Sequence, residues 1–144
     1  MGAPDDFQQA IGASHRALDQ IASGDPSAFF ELFSEREDAT LANPYGPPAR
    51  GRRQIEEAGR RAASNYREGK AIGFENFATF ATADLAYILE IERFEAKVAG
   101  RDDVAQVALR VTSIFRREDG AWRLVHRHAD PITVRQAPES VLQA

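Results

Sequence analysis

The sequence has no cysteine, one tryptophan, one methionine and no apolar run that approaches 18 residues. The lack of cysteine excludes disulfides, thiolate nucleophiles and cysteine-ligated metals, and it fits a reducing cytoplasm. A membrane-spanning helix needs about 20 apolar residues in a row, and the opening residues, MGAPDDFQQ, show neither a basic leader nor an apolar stretch. We therefore expect a cytoplasmic protein without a membrane span.

A strongly basic balance is also missing. The chain carries 18 Lys and Arg against 22 Asp and Glu, which gives a net charge of −4. Such a charge does not attract nucleic acid or an anionic membrane. Basic residues do cluster between Arg50 and Lys70, but Glu56, Glu57 and Glu68 interrupt them, as is typical of a solvated helix face. We predict no nucleic-acid partner and no membrane partner.

The length and composition are typical of one folded domain. At 144 residues, with 43% apolar and 28% charged residues, the chain fits a single hydrophobic core. The last residues, RQAPESVLQA, have little apolar periodicity and predict a loosely attached tail. We therefore place one domain at residues 1–135 and a C-terminal tail at residues 136–144.

The first half of the sequence predicts three helices. Apolar residues from Phe7 to Ile21 follow helical spacing, and the residues SGD stop that helix. Asp25 and Pro26 then suit the start of a second helix. A third helix is predicted to end at Gly69. The small residues on one of its faces imply close packing against a flat surface.

A short strand is expected near residues 39–42, and the second half of the sequence predicts longer strands. Four β-rich runs are separated by short turn signals: AIGFENFATFATA, LAYILEIERFEAKV, AQVALRVTSIFRRE and AWRLVHRHADPITV. Short breaks between long strands indicate an antiparallel meander, because parallel strands need long crossovers. The expected fold is α+β: a cone-shaped, curved antiparallel sheet wrapped around three N-terminal helices, with an internal pocket between them.

The segment HRHAD is the densest group of titratable residues. His126, His128 and Asp130 alternate along a strand and share one face, roughly 6.5–7 Å apart. They could form an acid/base couple, bind a metal with a third ligand such as His15, or be histidines hydrogen-bonded to a neighbouring strand. No third metal ligand is evident, so we predict neither a metal nor a cofactor.

Several segments together resemble a known superfamily. The stretches SGD, FSEREDATLANPYGPPARGRRQI and REDGAWRLVHRHAD are similar to the nuclear transport factor 2-like superfamily, and in particular to its SnoaL-like and ketosteroid-isomerase-like members. The resemblance runs from about Phe7 to Thr133. It implies the α+β cone fold and a homodimer, but not one activity, because this superfamily includes isomerases, dehydratases, polyketide cyclases and non-enzymes.

The loop ANPYGPPARG is the part most similar to ketosteroid isomerase, an enzyme that uses an Asp base with a Tyr and a protonated Asp as oxyanion donors. By resemblance, the base falls on Asn43, the Tyr on Ala17 and the second Asp near Ser113. All three reactive groups are therefore missing, which excludes that mechanism. Asn43, Tyr45, Ser113 and His15 remain as candidate ligand-binding residues.

The register of the last strand decides which side chains face the pocket. A two-residue turn at Asp119 and Gly120 places Ser113 opposite His126, with the histidine face inward. A three-residue turn places Ser113 opposite Val125, with Arg127 inward. Both registers are open, and the apolar residues that share the histidine face favour the first.

Two functions follow from these alternatives. The first is a binding protein for a small apolar or acidic organic ligand, in which Arg127 would pair with a carboxylate. The second is an enzyme of the isomerase, cyclase or dehydratase type, in which His126 or His128 transfers a proton with the help of Asp130.

Overall fold

A computed structural model describes residues 5–143, and it contains the three predicted helices. These are α1 (Asp5–Ala22), α2 (Ser27–Leu32) and α3 (Gly51–Ala63). On α1 the predicted apolar stripe is buried except for Ile11, which is half-buried, and Phe29 and Phe30 of α2 are buried beside it. Within residues 5–143, no helix is both long and apolar enough to cross a bilayer.

Six strands form one curved, open sheet. They are β1 (Thr40–Ala42), β2 (Ala49–Arg50), β3 (Tyr66–Ala81), β4 (Leu85–Val98), β5 (Val104–Glu118) and β6 (Ala121–Asp130), in the order β2-β1-β6-β5-β4-β3. Strands β3 to β6 form the predicted antiparallel meander. The sheet as a whole is mixed, because β1 pairs in parallel with β6. Residues 131–143 are exposed throughout, and the domain boundary at residue 135 stays a prediction.

The third helix ends earlier than predicted. It stops at Ala63, and β3 has already begun when the chain reaches Gly69. A Cβ atom at Gly69 would overlap the backbone oxygens of Glu95 and Ala22. This glycine therefore lets the edge strand pass closely over the end of α1, and it does not act as a helix stop.

The small residues of α3 allow the close packing that the sequence predicts. At Gly59 a Cβ atom would collide with the ring of Phe30 on α2. The guanidinium of Arg60 lies 5.6 Å from the centre of the same ring. A flat aromatic side chain of α2 is therefore one surface against which α3 packs closely, and α3 also packs against β1 and β2.

Strand β6 changes its register part of the way along. The hairpin turn is the two-residue turn at Asp119 and Gly120, both with positive φ, and Phe115 pairs with Leu124 as that turn requires. A β-bulge follows, and Val125 is the extra residue, so that Ser113 pairs with Arg127. The register of the two-residue turn therefore holds between the turn and the bulge. Beyond the bulge neither predicted register holds, because Ser113 lies opposite neither His126 nor Val125.

The bulge decides which residues face the helices. Beyond it, Arg127 and Ala129 are buried on the inner face of β6. His126, His128 and Asp130 lie on the opposite face. The prediction that the histidine face looks into the interior is therefore wrong. The apolar pattern of the turn-proximal half suggested it, and the bulge reverses that pattern beyond Leu124.

Candidate functional site

A cavity of about 40 Å³ lies between the three helices and the inner face of the sheet. Three predicted ligand-binding residues, Asn43, Tyr45 and Arg127, line it. The other lining residues are almost all apolar: Leu18, Ile21, Phe29, Leu41, Pro44, Gly59, Ala62, Tyr66, Phe94, Leu109 and Ala129. Because a buried water needs roughly 10–15 Å³ of such space, the cavity has room for only a few non-hydrogen atoms.

The loop after β1 forms one wall of the cavity. Asn43 Oδ1 accepts a hydrogen bond from the backbone N–H of Tyr45 at 2.9 Å. This Asx turn holds the backbone of the loop at Tyr45. Tyr45 is 46% exposed, and its hydroxyl is hydrogen-bonded to the hydroxyl of Tyr66 on β3. Asn43 therefore shapes the loop, and Tyr45 lies at the boundary between the cavity and solvent.

Tyr66 is the buried member of this hydroxyl pair. Its ring packs edge-on against Phe94, with the ring centres 5.1 Å apart. Burial raises the pKa of Tyr66, and the hydrogen bond with Tyr45 raises it further. The Tyr66 hydroxyl therefore stays protonated and can donate or accept a hydrogen bond, but it does not act as a base.

Arg127 is the charged residue of the cavity wall, and its charge is already paired. Its two terminal nitrogens donate to the two carboxylate oxygens of Glu92, each at 2.8 Å. Both side chains are buried, with 5% and 2% exposed. Burial alone would lower the pKa of Arg127, but the Glu92 charge and hydrogen bonds outweigh it and raise the pKa. The pair is therefore ionised, with no net charge.

A second buried acid lies next to this pair. Glu90 is two residues before Glu92 on the same inner face of β4. His15 Nε2 lies 2.9 Å from Glu90 Oε1. The His15 ring also stacks on Phe74, with ring centres 3.7 Å apart and 6° between the planes. His15 thus lies between α1 and the sheet, but it does not line the cavity.

The remaining inner-face predictions lie outside the cavity. Ser113 is buried between Ile88 and Arg127 in one cross-strand row, and it is absent from the cavity wall. Ala17, the position that resemblance assigns to the oxyanion Tyr, is fully buried in the core. Neither position supplies a proton-transfer group.

On the outer face of β6, the predicted catalytic residues form two separate hydrogen-bonded groups. His126 Nδ1 lies 2.7 Å from Thr40 Oγ1, and His128 Nε2 lies 3.1 Å from Asp130 Oδ2. Arg110 donates two hydrogen bonds to Asp130, at 3.1 and 2.8 Å. The His128 to Asp130 contact of the predicted acid/base couple is therefore present, but it faces away from the cavity.

Electrostatics differ between these two groups. Burial lowers the pKa of His126, and the neighbouring His128 lowers it further. Burial would raise the pKa of Asp130, but hydrogen bonds from Arg110 and from the backbone of Ile132 outweigh it and lower the pKa. Asp130 is therefore a stable carboxylate at neutral pH.

Three buried polar residues near the cavity were not predicted from the sequence: Glu90, Glu92 and Tyr66. In the run ILEIERF both alternating faces carry apolar residues, so the pattern did not show which face the acids occupy. Glu90 and Glu92 alternate with the large apolar residues Ile88 and Phe94 on one face. That pattern could have indicated that the two acids are buried. Tyr66 was assigned to the third helix and not to a strand.

A larger cleft of about 700 Å³ opens on the surface beside α2 and the β5–β6 turn. Two arginines of the cleft are paired with carboxylates. Arg52 donates to Glu56 at 2.7 Å, and Arg36 lies 3.7 Å from Glu118. Exposed pairs of this kind are typical of a solvated surface. The interior cavity is therefore the better candidate site.

Known proteins share this architecture. A nuclear transport factor 2-like superfamily protein from Salmonella enterica serovar Typhimurium LT2 matches with a TM-score of 0.75 and 18% identity, over 94% of each chain. A ketosteroid isomerase-like protein from Erwinia carotovora atroseptica matches with a TM-score of 0.74 and 16% identity, over 90% of this chain and 96% of that one. Identities this low show the fold alone.

A third structure is that of a proposed dehydratase of the same superfamily from Streptomyces avermitilis. It matches with a TM-score of 0.71 and 18% identity, over 90% of this chain and 96% of that one. No curated protein matches the sequence. The SnoaL-like domain model matches residues 9–133, which is most of the chain. The protein therefore belongs to the SnoaL-like domain family, and it has the fold of the nuclear transport factor 2-like proteins.

Proposed function

We propose that the protein binds a small, uncharged and largely apolar organic molecule that carries an oxygen acceptor or a hydroxyl group. The observation that carries the proposal is the cavity wall: apolar side chains surround the space, and the polar groups of Asn43, Tyr45 and Arg127 border it. Few polar groups in an apolar pocket are typical of a site that orients one functional group of its ligand.

The Arg127 to Glu92 pair favours an uncharged ligand. A carboxylate ligand would compete with Glu92 for the same two terminal nitrogens, and it would bring a second negative charge close to a buried carboxylate. A neutral carbonyl or hydroxyl can use the remaining N–H groups of the guanidinium without breaking the pair. The acidic ligand that the sequence suggested is therefore the less favoured class.

The size of the cavity sets a further condition. A ligand with more than a few non-hydrogen atoms requires the loop of Tyr45 to move outward, which separates the Tyr45 and Tyr66 hydroxyls. A ligand oxygen would then replace one hydroxyl as the partner of the other. Tyr45 thus both covers the cavity and supplies a hydrogen bond.

Thermal shift measurements test this proposal with a single-ring ketone and the carboxylic acid of the same ring. We expect the ketone to raise the melting temperature and the acid to have little effect. Ala129→Leu, which fills the cavity, should abolish the shift. Ala108→Leu, on the outer face of β5, is the matched control and should retain it. Stabilisation by the acid alone, lost in Arg127→Ala, would favour an acidic ligand instead.

The alternative is an enzyme of the isomerase, cyclase or dehydratase type. The similar folds of the dehydratase-like and isomerase-like structures are consistent with it. Its support is weaker, because His126, His128 and Asp130 are on the far side of the sheet from the cavity. Asn43 and Tyr45 can orient a substrate through hydrogen bonds, but the described residues of the cavity wall include no His, Asp or Glu to act as a base.

A homodimer is the assembly we propose. Four side chains on the outer face of the sheet, those of Phe80, Leu85, Tyr87 and Ile114, form an apolar surface, and the first three are 39–54% exposed. Exposed apolar patches of this kind mark protein interfaces. Sedimentation of the wild type and of Tyr87→Glu tests the proposal: the wild type should sediment as a dimer and the variant as a monomer.

A further inference from the structure

Two histidines on the outer face of β6 have no part in the cavity. His126 and His128 alternate along the strand, on the face opposite to Arg127, and their Cα atoms are therefore roughly 6.5–7 Å apart. The same alternation brings both imidazoles to one side of the sheet. The chain has three histidines, and the third, His15, lies on the inner side of the sheet.

Each of the two imidazoles is held at one ring nitrogen. His126 uses Nδ1 for the contact with Thr40 Oγ1, at 2.7 Å, and His128 uses Nε2 for the contact with Asp130, at 3.1 Å. Within residues 5–143, His126 Nε2 and His128 Nδ1 have no hydrogen-bond partner. When the held nitrogen of each ring donates its hydrogen, the other nitrogen carries a lone pair.

This arrangement matches the surroundings of metal-binding histidines in proteins. Such a histidine commonly donates its second ring N–H to a carboxylate or another oxygen, which fixes the tautomer and the orientation of the ring. Asp130 is itself fixed by two hydrogen bonds from Arg110. Both histidines therefore have an oriented ring and one free nitrogen.

The neighbouring side chains leave room for an ion. On β1 the residue beside His128 is Ala42, and on β5 it is Thr112, so small side chains flank that ring on both sides. His126 lies between Thr40 and the larger Ile114, which is at the edge of the apolar surface proposed for the dimer. His128 is 54% exposed. Water molecules can therefore complete the coordination of an ion bound there.

We infer that His126 Nε2 and His128 Nδ1 chelate one divalent transition-metal ion on the outer face of β6. Imidazole nitrogen suits Ni²⁺, Cu²⁺ and Zn²⁺, whereas Mg²⁺ and Ca²⁺ prefer oxygen ligands. Residues 5–143 contain no group of three or more His, Cys, Asp or Glu side chains that could hold a metal. With two protein ligands, the ion is exchangeable and is not required for folding, in contrast to four-ligand structural zinc sites.

Calorimetric titration of the untagged protein with Ni²⁺ tests this inference. We expect one Ni²⁺ per chain for the wild type, and a loss of at least roughly tenfold in affinity for His126→Ala and for His128→Ala. Thr40→Val, which removes the oxygen beside His126 Nδ1, should lower the affinity by roughly tenfold while both ligands remain. His15→Ala should bind as the wild type does.

Three outcomes would overturn the inference: no Ni²⁺ binding by the wild type, unchanged affinity in both strand variants, or an equal loss in His15→Ala. Circular dichroism of each variant shows whether it is folded. Because His128 is half exposed, His128→Ala tests the site even where the less exposed His126 variant proves unstable.

Discussion

The inner and outer faces of β6 both carry charged side chains, but in different surroundings. Inside, Arg127 is buried and paired with Glu92 through two hydrogen bonds. Outside, His128 and Asp130 are hydrogen-bonded but accessible to solvent. A buried charge is stable only with its partner, whereas an exposed one can exchange its partner for water. We therefore expect the inner residues to determine stability and the outer ones to be available for binding.

Removal of Arg127 should have the largest effect. Arg127→Ala leaves the Glu92 carboxylate buried without its two donors, and we expect the free energy of unfolding to fall by about 3–5 kcal/mol. Urea denaturation measures this loss. Arg127→Leu combined with Glu92→Leu should recover most of it, because no uncompensated charge remains.

The matched outer-face variant is Arg110→Ala, which removes the partner of Asp130. Here the expected loss is only about 0–1 kcal/mol, because this pair is partly exposed. If the two arginine variants lost the same amount of stability, the contrast between the faces would be wrong.

The next effect concerns His15. His15→Phe keeps an aromatic ring against Phe74 but removes the hydrogen bond to the buried Glu90. We expect a loss of roughly 1–3 kcal/mol, which is the cost of leaving a buried polar group unsatisfied. Thermal and urea unfolding should agree on this loss.

Two comparisons control the His15 experiment. His15→Ala should lose more stability than His15→Phe, because it also removes the stacking of an aromatic ring on Phe74. Glu90→Leu in the His15→Phe background should restore stability. A His15→Phe variant as stable as the wild type would show that Glu90 does not need its partner.

Much of the fold could be predicted from the sequence, because apolar periodicity and turn residues encode the helices and the meander directly. The orientation of β6 could not. Trp122 and Leu124 correctly indicate an inward face for the first half of the strand, but the β-bulge at Val125 reverses the alternation. No glycine or proline marks that bulge, so the histidines were placed on the wrong face.

The candidate site was predictable only in part, for a related reason. Asn43 and Tyr45 lie in a loop whose prolines and glycine mark it, and both line the cavity. Glu92 was missed because its importance depends on Arg127, which lies 35 residues further along the chain. Pairing between distant residues is set by strand register, and the register depended on the bulge.

A smaller effect is expected in the dependence of stability on acidic pH. It concerns Glu118, whose exposure lies between that of the inner and outer residues of β6. Burial would raise the pKa of Glu118, but hydrogen bonds from Arg116 and Ser34 outweigh it and lower the pKa. A carboxylate with a lowered folded pKa stabilises the protein above its unfolded pKa of about 4.3, and this contribution is lost as the pH falls through the folded pKa.

Glu118→Gln should therefore lower the free energy of unfolding at neutral pH by on the order of 1 kcal/mol and make stability less dependent on acidic pH. Glu57→Gln, which changes an exposed acid on α3, is the matched control for a Glu-to-Gln substitution. Identical pH profiles for Glu118→Gln and the wild type would exclude this role of Glu118.

The smallest effect on stability is expected at His128, which is adjacent in sequence to Arg127, where the largest is expected. His128→Ala removes an exposed side chain that only bonds to Asp130, so the free energy of unfolding should change by no more than about 0.5 kcal/mol. Urea denaturation with EDTA present excludes any contribution from bound metal. Since Arg127 and His128 are adjacent, a large loss in His128→Ala together with a small one in Arg127→Ala could arise only if β6 had the opposite face inward. The pair of variants therefore tests the bulge itself.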